Sequence, residues 1–272
     1  MKERLLVWIW IWFLCWSAFR LQPSAADSVP LPEITDTKFI SECVKLHNEV
    51  RSLVEPPATD MLHMTWDAGL AKTAQAWARH CDFSHNIQLS KAGQMHPVFR
   101  SVGENLWVGT PPSTFTVSRA MDLWVNEKEH YSYRQNTCTD VCGHYTQVVW
   151  ASSFKVGCAV QVCPKGVKGT TYKDGALFVC NYATAGNMNG QRPYKDGTPC
   201  SNCDGQCTDR LCRDPERDAE RRYNWTPDWD PSLSSCGPSC IAVLVMRPLA
   251  LICTFMAAYG IRSIYPDIFC YQ

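Results

Sequence analysis

Apolar residues recur at helical spacing through the first half of the chain and at strand spacing through the second. Ile40, Val44, His47, Val50 and Val54 step by three and four, which predicts a helix over residues 35–54 with Thr35 or Asp36 at its start. Pro56-Pro57 ends it. Trp66, Leu70, Ala74, Trp77 and Cys81 form the stripe of a second helix, residues 65–81. Residues 93–101 read as loop. A third helix follows Pro111-Pro112, over about residues 118–130, with Met121, Trp124 and Val125 inward. The period then changes. Residues 146–150, 157–162 and 176–182 are short β-branched and aromatic runs bounded by turn residues, and they read as strands. Helices first and strands late give an α+β class. No internal repeat is present.

Both ends of the chain are apolar. Lys2 and Arg4 precede a run from Leu5 to Phe19, and Ser24-Ala25-Ala26 supplies small residues for cleavage, so residues 1–26 read as a secretory signal peptide. An N-terminal membrane anchor is the rival reading. Near the other end, Ile241 to Ile261 is long enough to span a bilayer, although Arg247 and Pro248 interrupt it. A central Arg costs about 2.5–3.5 kcal/mol on insertion scales. The tail is therefore a single-pass tether, a lipid-anchor signal or part of a secreted product. The polar segment 262–272 behind it fits a lipid-anchor signal less well.

Composition sharpens this picture. The 272 residues carry 26 basic and 26 acidic side chains, so no basic excess is available for phosphates and nucleic acid is excluded as a partner. Sixteen cysteines point to an oxidising compartment. Cys200, Cys203, Cys207 and Cys212 sit in a segment nearly devoid of apolar residues. Behind a signal peptide they read as two disulfides rather than a zinc site. Cys43, Cys81, Cys138, Cys142, Cys158, Cys163 and Cys180 make an odd set of seven. One thiol is left free or bridges to Cys236 or Cys240, and spacing alone does not give the connectivity. The organisation that follows is a core domain over 33–188, a four-cysteine hinge over 189–213, a charged exposed stalk over 214–240, the apolar tail 241–261 and a short end segment 262–272. Asn224-Trp225-Thr226 in the stalk is a glycosylation acceptor, with Pro227 behind it. Asn136-Thr137-Cys138 reads as unmodified.

Four stretches carry a resemblance. They are His47-Asn48-Glu49-Val50-Arg51, Gly103-Glu104-Asn105-Leu106, Gly143-His144-Tyr145-Thr146-Gln147-Val148-Val149-Trp150, and Cys180-Asn181-Tyr182 running to Gly186-Asn187. Together, in this order, they resemble the CAP superfamily, which unites cysteine-rich secretory proteins, antigen 5 and pathogenesis-related protein 1. The glioma pathogenesis-related branch looks closest, with one such domain, one four-cysteine hinge and an apolar tail. The resemblance implies a three-layer α-β-α sandwich followed by a small disulfide-stapled hinge. Channel blocking is not carried over, because the six-cysteine module of the channel-regulating relatives does not follow the hinge. Val102 and Ala183 stand where those relatives often have a pair of cysteines, and Thr184 stands where Pro is usual. By analogy Cys81 pairs with Cys163 and Cys158 with Cys180, while Cys43 joins Cys138 or Cys142.

The same resemblance implies a cavity built from His85, Glu104, Glu127 and His144. His85 and His144 would offer two imidazole nitrogens to a divalent metal such as zinc, with Glu104 and Glu127 accepting the second ring N–H. No obligatory cofactor is expected, and no catalytic residue is assigned. His47, Asn48 and Arg51 read as structural, and His63, His80, His96 and His130 have no motif context. The chain contains neither Gly-x-Ser-x-Gly nor His-Glu-x-x-His. The expected function is non-enzymatic recognition of a protein, glycan or lipid in cell-surface interaction such as fertilisation or immune defence. The domain would lie in the extracellular space or outside the plasma membrane. A sterol or fatty-acid carrier and a His/Glu hydrolase are the alternatives.

Overall fold

The computed structural model describes residues 31–234 and 238–265. The expected signal peptide, Cys236 and the end segment from Pro266 onward lie outside them. Helix α1 spans Thr37–Ser52. It starts where the Asp36 carboxylate accepts hydrogen bonds from the N–H groups of Lys38 and Phe39, at 2.8 and 3.4 Å. Its buried face is Phe39, Cys43, His47 and Arg51. This corrects the expected stripe: Ile40, Val44 and Val50 are only half-buried, and a charged residue points into the core. Arg51 is tolerated there because its guanidinium donates to five carbonyl oxygens, those of Leu62, Val148, Trp150, Ala151 and Ser153.

Thr65–Trp66 is a short strand, β1, and not the first turn of the second helix. Helix α2, Ala68–Ala78, begins after it, with Asp67 accepting from the Leu70 N–H at 2.9 Å. Strand β2, Gly103–Gly109, had no counterpart in the strand pattern of the sequence. Helix α3, Val117–Asn126, runs into a 3₁₀ turn over Glu127–His130, so the expected third helix is split in two. A small hairpin, β3 (Tyr131–Ser132) and β4 (Thr137–Cys138), leads to helix α4, Gly143–Val148. This overturns the expected strand at 146–150. The run is buried on all sides, and a wholly buried apolar run shows no period by which to tell strand from helix. Strands β5, Lys155–Cys163, and β6, Gly175–Ala183, fall where the β-branched and aromatic runs placed them.

The main sheet has the order β1-β5-β6-β2, with β1 parallel to β5 and the other pairs antiparallel. Phe178, Cys180 and Tyr182 of β6 pack among residues of α1, α3 and α4. Leu177 and Val179 pack with Ala74, Trp77 and Ala78 of α2. The alternation of one strand thus feeds two cores, and the result is an α-β-α sandwich of the α+β class. Gly157 is where α2 crosses closest: a Cβ there would stand 2.1 Å from the Ala71 nitrogen.

Disulfides join Cys81 to Cys163 and Cys158 to Cys180. Cys138 and Cys142 join each other. Cys43 is a free, buried thiol, contrary to the expected bridge to Cys138 or Cys142, because it sits on the inward face of α1 among apolar side chains. Beyond the sandwich, β7 (Gln206–Thr208) and β8 (Leu211–Arg213) form a hairpin stapled by Cys200–Cys207 and Cys203–Cys212.

The charged segment that follows is not a free stalk. A short helix α5, Pro215–Asp218, opens a strap laid across the sandwich. Lys72 donates to the carbonyl oxygens of Tyr223 and Trp225, and the Tyr223 hydroxyl donates to Asp67. The Trp229 indole donates to the Gln94 carbonyl, and Arg79 pairs with the buried Asp230 at 2.6 Å. A final turn, α6 (Pro231–Ser234), precedes helix α7, Pro238–Ile264. Cys240–Ile264 contains an 18-residue window of mean hydropathy 2.2, none of which is buried. Its 25 residues measure about 37 Å at 1.5 Å per residue, enough to cross the roughly 30 Å hydrocarbon core of a bilayer.

Candidate functional site

Two hydrogen-bonded His/Glu pairs lie at one end of the sandwich. Glu104 is the second residue of β2, and its side chain is fully buried. One carboxylate oxygen accepts from His85 Nδ1 at 3.0 Å and from the Asn86 N–H at 2.9 Å. The other accepts from Asn181 Nδ2 at 3.3 Å. His85 follows Cys81, whose disulfide ties the end of α2 to β5, and its ring is largely exposed. The carboxylate hydrogen bond raises the His85 pKa above the usual imidazole value, against the opposing effect of burial.

Glu127 opens the 3₁₀ turn after α3. One of its oxygens accepts from His144 Nδ1 at 2.5 Å. The other accepts from the backbone N–H groups of His144 and Tyr145, at 2.9 and 3.2 Å. A single carboxylate therefore fixes both the ring of His144 and the first turn of the helix that carries it. The ring is also stacked at 6.0 Å and 8° on Trp124, whose indole N–H donates to the Leu106 carbonyl of β2.

β2 joins the two pairs. Glu104 holds His85, and its neighbour Asn105 donates through Nδ2 to the His144 carbonyl at 3.0 Å. Asn105 Nδ2 also donates to the Tyr182 hydroxyl, at 3.2 Å, and that hydroxyl meets His47 Nε2 at 2.9 Å. His47 Nδ1 meets the Cys43 carbonyl at 2.7 Å. A carbonyl only accepts, so His47 carries its proton on Nδ1 and accepts from Tyr182 on Nε2. Burial lowers the His47 pKa to about 4, which keeps the ring neutral. The chain of hydrogen bonds reaches from the backbone of His144 into α1. Asn86, Asn105, Asn181 and Tyr182 are therefore positioning residues that sequence reasoning left without a role. Three of them lie inside the motifs quoted above, but no spacing ties them to the histidines.

The chemistry open to this arrangement follows from its tautomers. Both site histidines present Nδ1 to a carboxylate, so each neutral ring holds its proton there and turns the Nε2 lone pair outward. That is the form in which an imidazole binds a metal, and the donor set suits zinc. The carboxylates are occupied as hydrogen-bond acceptors. Among the described residues, the only three metal-ligating atoms grouped within 4.8 Å are the sulfurs of Cys200, Cys203 and Cys212, and all three belong to disulfides. His85 and His144 could therefore each offer one ligand atom, Nε2, to a metal. Ser84, next to His85, donates its hydroxyl to Asp82 at 2.8 Å and not to the ring. The other histidines are placed elsewhere. His96 bonds Asp67 at 3.0 Å inside the domain, and His63 is buried near Asp218.

The sequence profile of the cysteine-rich secretory protein family, CAP, matches residues 44–182. GLIPR1-like protein 1 of Bos taurus is 48% identical over 236 residues, which span 86% of this chain and 93% of that protein. Glioma pathogenesis-related protein 1 of Mus musculus is 41% identical over 259 residues, spanning 94% and 96%. Among solved structures, the crystal structure of NaASP2 with Zn2+ superposes with a TM-score of 0.50 at 25% identity, over 65% of this chain and 96% of that one. The chain belongs to the CAP family, in its glioma pathogenesis-related branch.

Proposed function

We propose that this protein is a non-enzymatic recognition module, displayed outside the cell on its apolar helix, whose His85/His144 site takes up a divalent metal such as zinc. The observation that carries the reading is the double carboxylate–imidazole arrangement, with both Nε2 atoms turned outward and the neighbouring hydroxyl of Ser84 turned away. Two neutral imidazoles held by buried or half-buried carboxylates are a metal-ready pair, whereas hydrolysis would need a nucleophile within reach of a ring nitrogen. NaASP2, crystallised with Zn2+, supports the choice of metal. The disulfides among the described residues support an oxidising, extracellular setting. The metal would serve to present the surrounding surface to a protein, glycan or lipid ligand.

Titration calorimetry with zinc chloride tests the site. The parent chain takes up one zinc, and His85→Ala with His144→Ala abolishes the uptake. Equal uptake by the double variant places the metal elsewhere and removes the reading.

A further inference from the structure

Lys155, the first residue of β5, is 2% exposed. Its ammonium donates to the carbonyl oxygens of Ala219 at 2.8 Å and Asp218 at 3.3 Å. Both acceptors are neutral, and an ammonium has three N–H groups, so one donor is left over. Asp67 and Asp218 act on it only from a distance, and burial pulls its pKa down. A buried cation without a paired carboxylate is costly to keep unless an anion reaches it.

Lys155 lines a cleft of about 670 Å3 between the sandwich, the β7–β8 hairpin and the start of the strap, a size common for ligand sites. Leu62, Phe99 and Phe154 supply its apolar wall, the two rings meeting edge to face at 5.8 Å. The Arg217 guanidinium lies 5.9 Å over the Phe154 ring, and Arg221 is exposed beside it. Four acidic side chains line it: Asp60 accepts from the Lys195 N–H and Asp214 from the Arg217 N–H. Asp204 of the hairpin and Glu216 of α5 are exposed and make no hydrogen bond with the described residues. The cleft thus holds three cations, of which Arg217 is already paired with Asp218 at 2.6 Å, and two free carboxylates. A simple anion would satisfy Lys155 and meet those carboxylates unfavourably. A ligand with an anionic end, an apolar group next to it and a cation slightly farther back matches all three features.

We propose that this cleft binds the C-terminal carboxylate of a partner peptide whose last side chain is apolar and which carries a basic residue shortly before it. The carboxylate sits against Lys155, Arg217 and Arg221, the last side chain against Phe99 and Phe154, and the basic side chain against Asp204 and Glu216. The proposal shares with the recognition reading only the idea of a protein partner. Failure of zinc uptake at His85 and His144 leaves it standing.

Fluorescence anisotropy tests it, with the full chain in detergent and the labelled peptide Gly-Ser-Lys-Ala-Phe as free acid or as C-terminal amide. The acid binds, and the amide binds about tenfold more weakly or worse, as expected for loss of a charge-assisted contact. Arg221→Ala, at an exposed position, weakens the acid several-fold and leaves the amide unchanged. Lys155→Met removes the difference between acid and amide wherever the variant keeps the melting temperature of the parent. Glu216→Gln weakens the lysine peptide but not its norleucine counterpart. Equal binding of acid and amide, or no binding of either, overturns the proposal. Laurate binding as tightly as the peptide, with no response to Glu216→Gln, overturns it in favour of an amphipathic acid.

Discussion

His47 illustrates how a residue read as structural from its motif gains a specific physical role in the fold. Its place in the first motif marks it as structural, and the structure shows it carrying one link of the relay from α1 to His144. Its pKa of about 4 makes it a measurable contributor to stability. Between pH 4 and 6.5 the unfolded chain protonates His47 and the folded chain does not, so stability is fully present above about pH 6.5 and is lost as pH falls. The loss from this one group amounts to about 2 kcal/mol at pH 5. His63, whose pKa burial also lowers to about 4, acts in the same direction. Urea unfolding at pH 7 and pH 5 should show the midpoint dropping, with a smaller drop in His47→Gln. A parent midpoint that does not move over this range would show that neither ring is held neutral. Glu104 and His144 were legible because they lie in the quoted motifs, whereas His85 and Glu127 followed only from the family resemblance. Asn105 and Asn181 lie inside those motifs too, but side-chain direction on β2 and β6 decides their partners, and a sequence does not give that.

The elements that were easiest to read are the longer ones. α1, α3 and the paired strands β5 and β6 lie within a few residues of the expected bounds. α4 and β2 did not, because at six and seven residues both are too short to show a clear period. β1 is two residues long, and the Asp67 cap behind it moves the start of α2. The disulfides add a second kind of element, a covalent tie whose worth depends on the loop it closes. Cys81–Cys163 spans 82 residues and Cys138–Cys142 only 4. Loop-closure entropy assigns them about 4–5 and about 2 kcal/mol respectively. Replacing each pair by serine and measuring guanidinium unfolding should reproduce that order. The Cys138–Cys142 variant should also loosen the entry to α4, since Cys142 precedes the helix that carries His144. Equal losses from the two variants would count against the entropic account.

For the whole molecule, the strap changes what the charged region is for. Its composition reads as a solvated spacer, yet Lys72, Arg79, Asp67 and Gln94 of the sandwich hold it from residue 223 to residue 230. Asn224 remains exposed on this strap and available for a glycan. The last anchored residues, Asp230 and Ser232, lie within ten positions of Cys240, where the apolar helix becomes long enough to cross a membrane. Were that helix to cross a bilayer, an ordered strap would leave little slack between domain and membrane, whereas a free stalk of the same length would let the domain drift. Arg79 decides between these two cases, because its guanidinium holds Asp230 and also reaches the Ser232 hydroxyl. The pair is half exposed on the Arg side and buried on the Asp side, so its loss should weaken docking by about 1–2 kcal/mol. Hydrogen exchange on the full chain in detergent should then show amides 223–234 of Arg79→Ala exchanging about tenfold faster than in the parent, while β5 and β6 stay protected. Unchanged exchange in the strap would mean that Trp229 and Tyr223 hold it without the ion pair. Faster exchange throughout would mean that the strap is part of the fold of the sandwich itself.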